Sequence, residues 1–245
     1  ELNAVRENAV HNSMLAKEAE QRKNDLIVYL AHDLKTPLTS VIGYLTLLED
    51  EPDIPQKTRE KYTSIALNKA ERLEDLINEF FDITRFNLTN IELDIEKVNL
   101  SRMLEQICSE FLPILLEHKL SWNLDIAPDI NLMCDPDKLS RVFDNLIRNA
   151  VNYSYPDTEI TCVLTKQDND THILFKNNGK TISPEKLSRV FEQFFRLDSS
   201  RASSTGGAGL GLAIAKEIVE LHGGQINAAS ENESISFEVV FRNDL

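Results

Sequence analysis

The chain has 245 residues and a formal net charge of −14, with 42% hydrophobic and 27% charged residues. This composition is that of a globular protein with room for one large domain or two modest ones. The acidic balance argues against a nucleic-acid partner, because no basic stripe interleaved with aromatic residues accompanies it. No apolar run is long enough to span a bilayer. We therefore expect any membrane attachment to come from a segment that precedes Glu1.

The three cysteines, Cys108, Cys134 and Cys162, are far apart in the sequence and form no C-x-x-C pair. Their spacing suggests neither a zinc site nor a redox motif, and their odd number does not fit a secreted disulfide framework. A reducing cytosol is the expected setting. Because the chain begins without Met inside a helical pattern, we expect it to be a fragment of a longer protein.

The first part of the chain has the pattern of a helical hairpin. Residues 1–49 are nearly free of helix breakers, an acidic turn with prolines follows at 49–55, and a second amphipathic run extends from Tyr62 to Ile83. Two long helices joined by a short turn form such a hairpin. One hairpin cannot bury two wide apolar faces, whereas two hairpins bury them as a four-helix bundle. The pattern therefore predicts a homodimer.

His32 lies on the polar side of the first helix. At about 100° per residue, it points roughly 160° away from the middle of the apolar stripe. Asp33 follows it, and Thr36 lies one turn later on the same outward face. An outward imidazole beside a carboxylate and a hydroxyl suits chemistry on the histidine itself, although this helix alone favours an ordinary surface histidine. The stripe consists of Ile27, Leu30, Leu34, Leu38, Val41, Leu45 and Leu48.

After about residue 97 helices alternate with strands. This alternation predicts a mixed sheet with helices, an α/β layer structure distinct from the hairpin. A polar loop rich in Ser and Gly interrupts it at about 198–206. The predicted helices are 100–118, 135–153, one near Pro184 and 209–222, and the predicted strands are 120–126, 130–134, 159–165, 172–176, 225–229 and 235–241.

Three asparagines, Asn145, Asn149 and Asn152, recur at steps of four and three on one face of the predicted helix 135–153. Asparagine is a mediocre helix former, so an aligned set calls for a reason. Carboxamide oxygens are hard, neutral ligands that suit an Mg²⁺ ion already carrying phosphate and water oxygens. A merely solvated polar face remains the alternative for this segment alone.

Two further segments have the composition of ligand-binding loops. The glycine cluster at 206–211 leads into a helix, where backbone N–H groups can approach phosphate. It lacks the P-loop spacing, and it follows a polar loop and not the apolar strand that a dinucleotide fingerprint requires. The segment 176–179 follows a strand, and Asn177 there could hydrogen-bond a base. An ordinary Asn-Gly turn is the alternative.

In combination and in this order, these segments resemble the sensor histidine kinases of two-component systems. Residues 31–38 resemble the phosphoacceptor box, 145–153 the N box, 177–179 the first glycine box, 191–196 the F box and 207–211 the second glycine box. The amino-acid sequences of residues 31–45, 80–85 and 205–212 are similar to those of the vancomycin-resistance sensor kinases in particular.

The resemblance implies a helical hairpin that forms a dimeric four-helix bundle, followed by an α/β sandwich ATP-binding domain of the type shared with gyrase, Hsp90 and MutL. It implies a helical linker at 1–22, a dimerisation and histidine phosphotransfer domain at 23–90, and a catalytic ATP-binding domain at 97–245. It further implies a response regulator receiver domain as partner. We expect a cytoplasmic fragment, whose full-length form reaches the cell membrane only through the missing N-terminal portion.

The resemblance also implies the reaction and its residues. His32 would accept phosphate from ATP, Asp33 would take its proton, and Thr36 would position water for dephosphorylation of the regulator. Asn149 would hold Mg²⁺. The implied nucleotide-binding residues are Asn145, Asn149, Asn152, Tyr153, Asn177, Gly179, Ile182, Phe194, Arg196, Gly207, Gly209, Leu210 and Gly211.

The sequence departs from the family pattern in four places. Asn177 stands where an aspartate is usual, Thr181 replaces the second glycine of the same box, and Asn152 replaces a frequent lysine, for which Arg148 or Arg196 would substitute. The late glycine box is absent, and residues 230–234 stand in its place. Two alternatives therefore stay open: a degenerate kinase acting as a dimeric scaffold or phosphatase, and an ATPase of gyrase or Hsp90 type.

Overall fold

The computed structural model describes residues 31, 33–51, 53–88, 93–197 and 209–242. The chain divides into two compact units, one ending at Phe81 and the other starting at Asp82. His32, the polar loop at 198–206 and Gly207 lie outside the described residues, so the expectations placed on them stay predictions. Within the described ranges, no helix has the length and hydropathy of a membrane span.

The first unit contains the predicted helical hairpin. Helix α1 comprises residues 33–50 with residue 31 also helical, and α2 is Gln56–Leu88. The two helices pack through Tyr44 and Tyr62, whose ring centroids are 5.4 Å apart. Helix α2 begins after a proline, and Pro55 accepts hydrogen bonds from the N–H groups of Thr58 and Arg59 at 2.8 and 3.0 Å. The acidic proline-flanked turn therefore ends one helix and starts the next.

Part of the apolar stripe of α1 is not covered within one chain. Leu38 and Leu45 are 44% and 53% exposed, and Ile42 beside them is 56% exposed. On α2, Leu67 is 56% exposed, whereas Ala66 is buried. The exposed side chains of Leu38, Ile42 and Leu45 at helical spacing on α1, together with Leu67 on α2, leave apolar surface on the hairpin that a further layer of helices would bury.

The second unit is built on a five-stranded mixed sheet in the order β2-β4-β5-β7-β6. Strand β2 is parallel to β4, and every other pair is antiparallel. A separate two-stranded antiparallel sheet pairs β1 with β3. The strands are β1 Glu96–Asn99, β2 Leu120–Ile126, β3 Asn131–Cys134, β4 Thr158–Gln167, β5 Asp170–Asn178, β6 Gln225–Glu231 and β7 Ser234–Arg242. The helices are α3 Leu100–Glu110, α4 Leu112–Glu117, α5 Pro136–Tyr153, α6 Pro184–Leu187 and α7 Gly211–Leu221.

The core of this unit lies between one face of the sheet and the helices α3, α5 and α7. Alternate residues of β4 and β5 are buried, and Phe175 on β5 contacts Phe143 on α5 with ring centroids 6.1 Å apart. Both phenylalanines are almost fully buried, which stabilises the fold by about 1.5–3 kcal/mol for each side chain. This layering confirms the predicted α/β structure and fixes α5 against the sheet.

The predicted elements after residue 97 are present, with two corrections. The predicted helix at 100–118 is wrong as a single helix, because the chain forms α3 and α4 with a break at Phe111. Pro113 explains the break, since it has no N–H to donate to the carbonyl four residues earlier. Strand β1 was not predicted, because its four residues include only one β-branched side chain, Val98.

Candidate active site

Helix α5 forms one wall of the candidate site, and its start is fixed by a hydrogen-bond network. The Asp135 carboxylate accepts from the N–H of Lys138 at 3.1 Å and of Asp94 at 3.2 Å, and so caps the helix. The N–H of Asp135 donates to Nε2 of His222 at 3.0 Å, while Nδ1 of His222 donates to the Ile218 carbonyl at 2.8 Å. His222, which sequence patterns did not single out, thus ties the start of α5 to the end of α7.

The asparagine face of α5 meets the first turn of α7. Asn145 and Asn149 are half-buried, and Asn152 is exposed one turn further on. A Cβ added to Gly211 would lie 2.8 Å from Oδ1 of Asn145, so the amide packs directly against the start of α7. Nδ2 of Asn145 is buried and finds no hydrogen-bond partner among the described residues. A buried amide without a partner is uncommon and calls for a ligand or an equivalent acceptor.

The predicted F box is in contact with the second glycine box just before the start of α7. The N–H of Phe194 donates to the Gly209 carbonyl at 2.9 Å. Gly209 has φ +76°, and a Cβ there would lie 2.9 Å from backbone atoms of Phe194 and Phe195, so only glycine fits. Leu210 is buried, and within the described residues no side chain caps the start of α7. Its free N–H groups therefore favour an anion.

The far end of α5 meets the end of β5. Asn177 is only 2% exposed, and its Nδ2 also has no hydrogen-bond partner within the described part of the chain. A Cβ added to Gly179 would lie 2.1 Å from the carbonyl oxygen of Tyr153, so the two segments are in close contact. Ile182 is buried just beyond this contact. The structure thus brings Tyr153, Asn177 and Gly179 together.

The two clusters lie along α5, one at Asn145 near the middle of the helix and the other at its C-terminal end. Asn145 and Tyr153 are eight residues apart, which corresponds to about 12 Å along a helix axis. Within the described part of the chain, one cluster offers the unpartnered Nδ2 of Asn145 and a helix start, and the other offers the unpartnered Nδ2 of Asn177 beside the exposed Tyr153 ring. This donor set fits an elongated ligand with phosphate at one end and a flat, hydrogen-bonding ring at the other.

The two arginines suggested as substitutes for the missing lysine differ in their surroundings. Arg148 is exposed and its Nε donates to Asp144 at 2.7 Å, an ion pair within one turn of α5. Arg196 is half-buried and follows the Phe194–Gly209 contact. Arg148 is thus engaged in an ion pair on the surface of α5, whereas Arg196 lies two residues after Phe194, whose N–H donates to the Gly209 carbonyl.

Glu217 of α7 is expected to destabilise the protein at neutral pH. Burial raises the pKa of its carboxyl, and the Glu220 carboxylate raises it further. The charged form is therefore disfavoured in the fold, and its cost vanishes as the pH falls below the unfolded-state pKa. We expect Glu217→Gln to raise the melting temperature by on the order of 1 °C at pH 7 and less at pH 4. Glu105→Gln on the exposed side of α3 serves as the control, and an equal gain at both pH values would contradict the assignment.

Comparison with known proteins places both units in one family. Residues 134–244 match the profile of the histidine kinase-, DNA gyrase B- and HSP90-like ATPases, and residues 22–88 match that of the His kinase A (phospho-acceptor) domain. Over 239 residues the chain is 57% identical to the sensor protein VanSC of Enterococcus gallinarum, covering 98% of this chain and 66% of that protein. Over 238 residues it is 48% identical to the sensor protein VanS of Enterococcus faecium, covering 97% of this chain and 62% of that protein.

Among solved structures, the histidine kinase ThkA in complex with the response regulator protein TrrA superposes with a TM-score of 0.72. The match covers 93% of this chain and 64% of that chain at 20% sequence identity, and so it shows similarity of fold. The chain belongs to the sensor histidine kinases of two-component systems. It spans less than two thirds of the length of both VanS-type relatives. The predicted family and fold class are confirmed.

Proposed function

We propose that the protein phosphorylates His32 with the γ-phosphoryl group of ATP and passes this group to an aspartate of a response regulator. The observation that carries the proposal is the pair of buried side-chain nitrogens, Nδ2 of Asn145 on α5 and Nδ2 of Asn177 on β5, that have no hydrogen-bond partner among the described residues. The identity with two VanS-type sensor proteins supports a role in vancomycin-resistance-like signalling.

In this proposal the nucleotide lies along the α5 face. The amide of Asn177 hydrogen-bonds the base, and Tyr153 flanks it. Asn145 and the N–H groups at the start of α7 take the phosphates, with Arg196 as the nearby cation. Asn149 would hold Mg²⁺, which when bound neutralises phosphate charge. Asn152, Gly179, Ile182, Phe194, Gly207, Gly209, Leu210 and Gly211 complete the proposed nucleotide site.

The phosphoryl transfer requires a neutral imidazole at His32, which is a competent nucleophile near neutral pH. A ring nitrogen forms the new N–P bond while the bond from the γ-phosphorus to the ADP oxygen breaks. Asp33, which is half-buried at the start of α1, orients the ring through its other nitrogen and takes the ring proton. Positioning and charge neutralisation supply most of the catalysis in such a reaction.

The hairpin is proposed to hold the homodimer. The exposed side chains of Leu38, Ile42, Leu45 and Leu67 support this, because a second hairpin would bury them in a four-helix bundle. We assign residues 1–22 to a linker, 23–90 to dimerisation and phosphotransfer, and 97–245 to nucleotide binding and catalysis. The response regulator would take the phosphoryl group at the hairpin. A further segment of the full-length protein would connect the hairpin to the cell membrane.

The test is incubation of the protein with radiolabelled ATP and Mg²⁺. We expect acid-labile, base-stable label in the wild type, no label in His32→Gln, and unchanged label in His118→Gln, which alters a histidine at the end of α4. Asn149→Ala is expected to lose label as well, because Mg²⁺ loses its proposed ligand. Equal labelling of His32→Gln would refute the proposal. An unlabelled wild type that still dephosphorylates the regulator would favour the alternative of a scaffold or phosphatase.

Thr36 is proposed to position water for dephosphorylation of the response regulator. It is exposed on α1, one turn after His32 in the sequence, so its side chain is accessible to a docked partner. We expect Thr36→Ala to spare autophosphorylation and to slow regulator dephosphorylation by about 10–100-fold. Thr39→Ala, which removes an exposed hydroxyl bonded to the Lys35 carbonyl, is the matched control. Loss of both activities in Thr36→Ala would contradict this division of roles.

A further inference from the structure

The turn between β6 and β7 is hydrogen-bonded to the first glycine box. The N–H of Gly179 donates to the Glu233 carbonyl at 2.9 Å. The N–H of Glu233 donates to Oγ1 of Thr181 at 2.8 Å. The N–H of Ile182 donates to Oγ of Ser230 at 2.9 Å. Two of these three bonds depend on a side-chain hydroxyl, and they join segments about fifty residues apart in the sequence.

Tyr155 joins the same contact from the end of α5. Its N–H donates to the Asn178 carbonyl at 2.8 Å, and its hydroxyl donates to Oε1 of Glu233 at 3.2 Å. Partial burial raises the pKa of the Tyr155 hydroxyl, and the adjacent Glu233 carboxylate raises it further, so the hydroxyl stays a donor. The end of α5, the glycine box and the β6–β7 turn are therefore linked to one another.

Two of the places where the sequence departs from the family pattern are thus bonded to each other. Thr181 replaces a glycine of the first box, and residues 230–234 replace the late glycine box. Glu233 has φ +58° and Asn232 has φ +51°, a left-handed turn that points the Glu233 N–H at the Thr181 hydroxyl. A glycine at 181 would leave that N–H without this acceptor.

We propose that the contact formed by Thr181, Ser230, Glu233 and Tyr155, the turn clamp, holds the glycine box in its nucleotide-binding geometry. Thr181 and Ser230 are then positioning residues for the base, acting through Asn177 and Gly179. The inference rests on the proposed function, since it assigns a role within the same nucleotide site. Rigidifying a binding segment in its bound form raises affinity by lowering the cost of ordering it.

The packing around Gly179 explains why such a clamp matters. Its Cα approaches the Tyr153 carbonyl so closely that a single added carbon would lie 2.1 Å away. A small displacement of the glycine box therefore either collides with the end of α5 or moves Asn177 away from the base. The clamp bonds at Thr181 and Ile182 follow Gly179 along the chain, so the glycine box is held both at this contact and beyond it.

The test compares Thr181→Val and Thr181→Ser in the intact chain, with ADP and Mg²⁺ as the probe in isothermal titration calorimetry. We expect Thr181→Val to weaken ADP binding about threefold to tenfold, the value of one net hydrogen bond. Thr181→Ser is expected to restore the wild-type Kd within about twofold. Asn131→Ala, which removes a comparable exposed bond to the Asp129 carbonyl in the β2–β3 turn, is the control and is expected to bind ADP normally.

The melting temperature without nucleotide separates positioning from general stability. We expect Thr181→Val and Asn131→Ala to lower it to a similar small extent, while only Thr181→Val changes the Kd. Wild-type ADP affinity in Thr181→Val would overturn the clamp, as would a loss of affinity that Thr181→Ser does not restore. A wild-type chain that binds no ADP would overturn the proposed function and the clamp together, so the two failures are distinguishable.

Discussion

Gly179→Ala is expected to abolish nucleotide binding and to lower the free energy of unfolding of the second unit by about 3 kcal/mol. The added Cβ would lie 2.1 Å from the Tyr153 carbonyl oxygen and 3.3 Å from both Nδ2 of Asn177 and Cδ1 of Ile235. Because the nearest atom belongs to the backbone, no change of side-chain rotamer relieves the contact. Either α5 or the glycine box must move, and both form the proposed base site.

Gly43→Ala is the matched control for this substitution. Gly43 lies within α1, and a Cβ there would have no heavy atom within 4 Å among the described residues. Alanine in a helix interior is favoured over glycine by about 0.5–1 kcal/mol. Urea unfolding should therefore show the two glycine variants moving in opposite directions, and calorimetry should show ADP binding lost only in Gly179→Ala. Wild-type stability and wild-type ADP affinity in Gly179→Ala would contradict this prediction.

Asn177→Leu is expected to stabilise the nucleotide-free protein and to weaken ADP binding, which are opposite effects of one substitution. The Asn177 side chain is almost fully buried, and its Nδ2 has no hydrogen-bond partner within the described residues. A buried, unsatisfied donor costs about 1–3 kcal/mol, and an apolar side chain of similar shape removes that cost. We expect the free energy of unfolding to rise by about 1 kcal/mol and the ADP affinity to fall at least about tenfold.

Thr171→Val on the same strand is the control for Asn177→Leu. Thr171 is fully buried on the same face of β5, and it has an interaction partner in the fold. Removing its satisfied hydroxyl should lower the free energy of unfolding by about 1 kcal/mol without changing the ADP affinity. Urea unfolding and calorimetry measure both quantities. If Asn177→Leu lowers the stability of the nucleotide-free protein as Thr171→Val does, its amide is satisfied within the fold and does not await a ligand.

Local sequence patterns determined the helices of this protein and the faces they present. The steps of three and four between Asn145, Asn149 and Asn152 place them on one helical face, because residues three and four apart are neighbours on any α-helix. Asp135 and Pro136 likewise mark the start of α5 through local capping geometry. The break at Pro113 was also readable in principle, since the missing N–H is a property of that residue alone.

The exposed leucines of the hairpin show what a local sequence pattern cannot predict. Periodicity correctly placed Leu38 and Leu45 on an apolar face, but it carries no information on what covers that face. Cover depends on another surface of matching shape, and the spacing within one helix does not describe it. Sequence patterns also did not predict the role of His222, because its ring nitrogens join the end of α7 to the start of α5, which is distant in the sequence.

The candidate nucleotide site depends both on local sequence patterns and on tertiary contacts. Motif order and helical spacing predicted the fold class, the family and the residue types that suit a nucleotide, because both are local properties of the chain. Only the tertiary structure brought Tyr153 against Gly179 and the β6–β7 turn against Thr181. These contacts depend on the strand order β2-β4-β5-β7-β6, which sets β5 beside β7. That order follows from the packing of the whole domain, since hydrogen bonds between distant segments form only where the shared core brings them together.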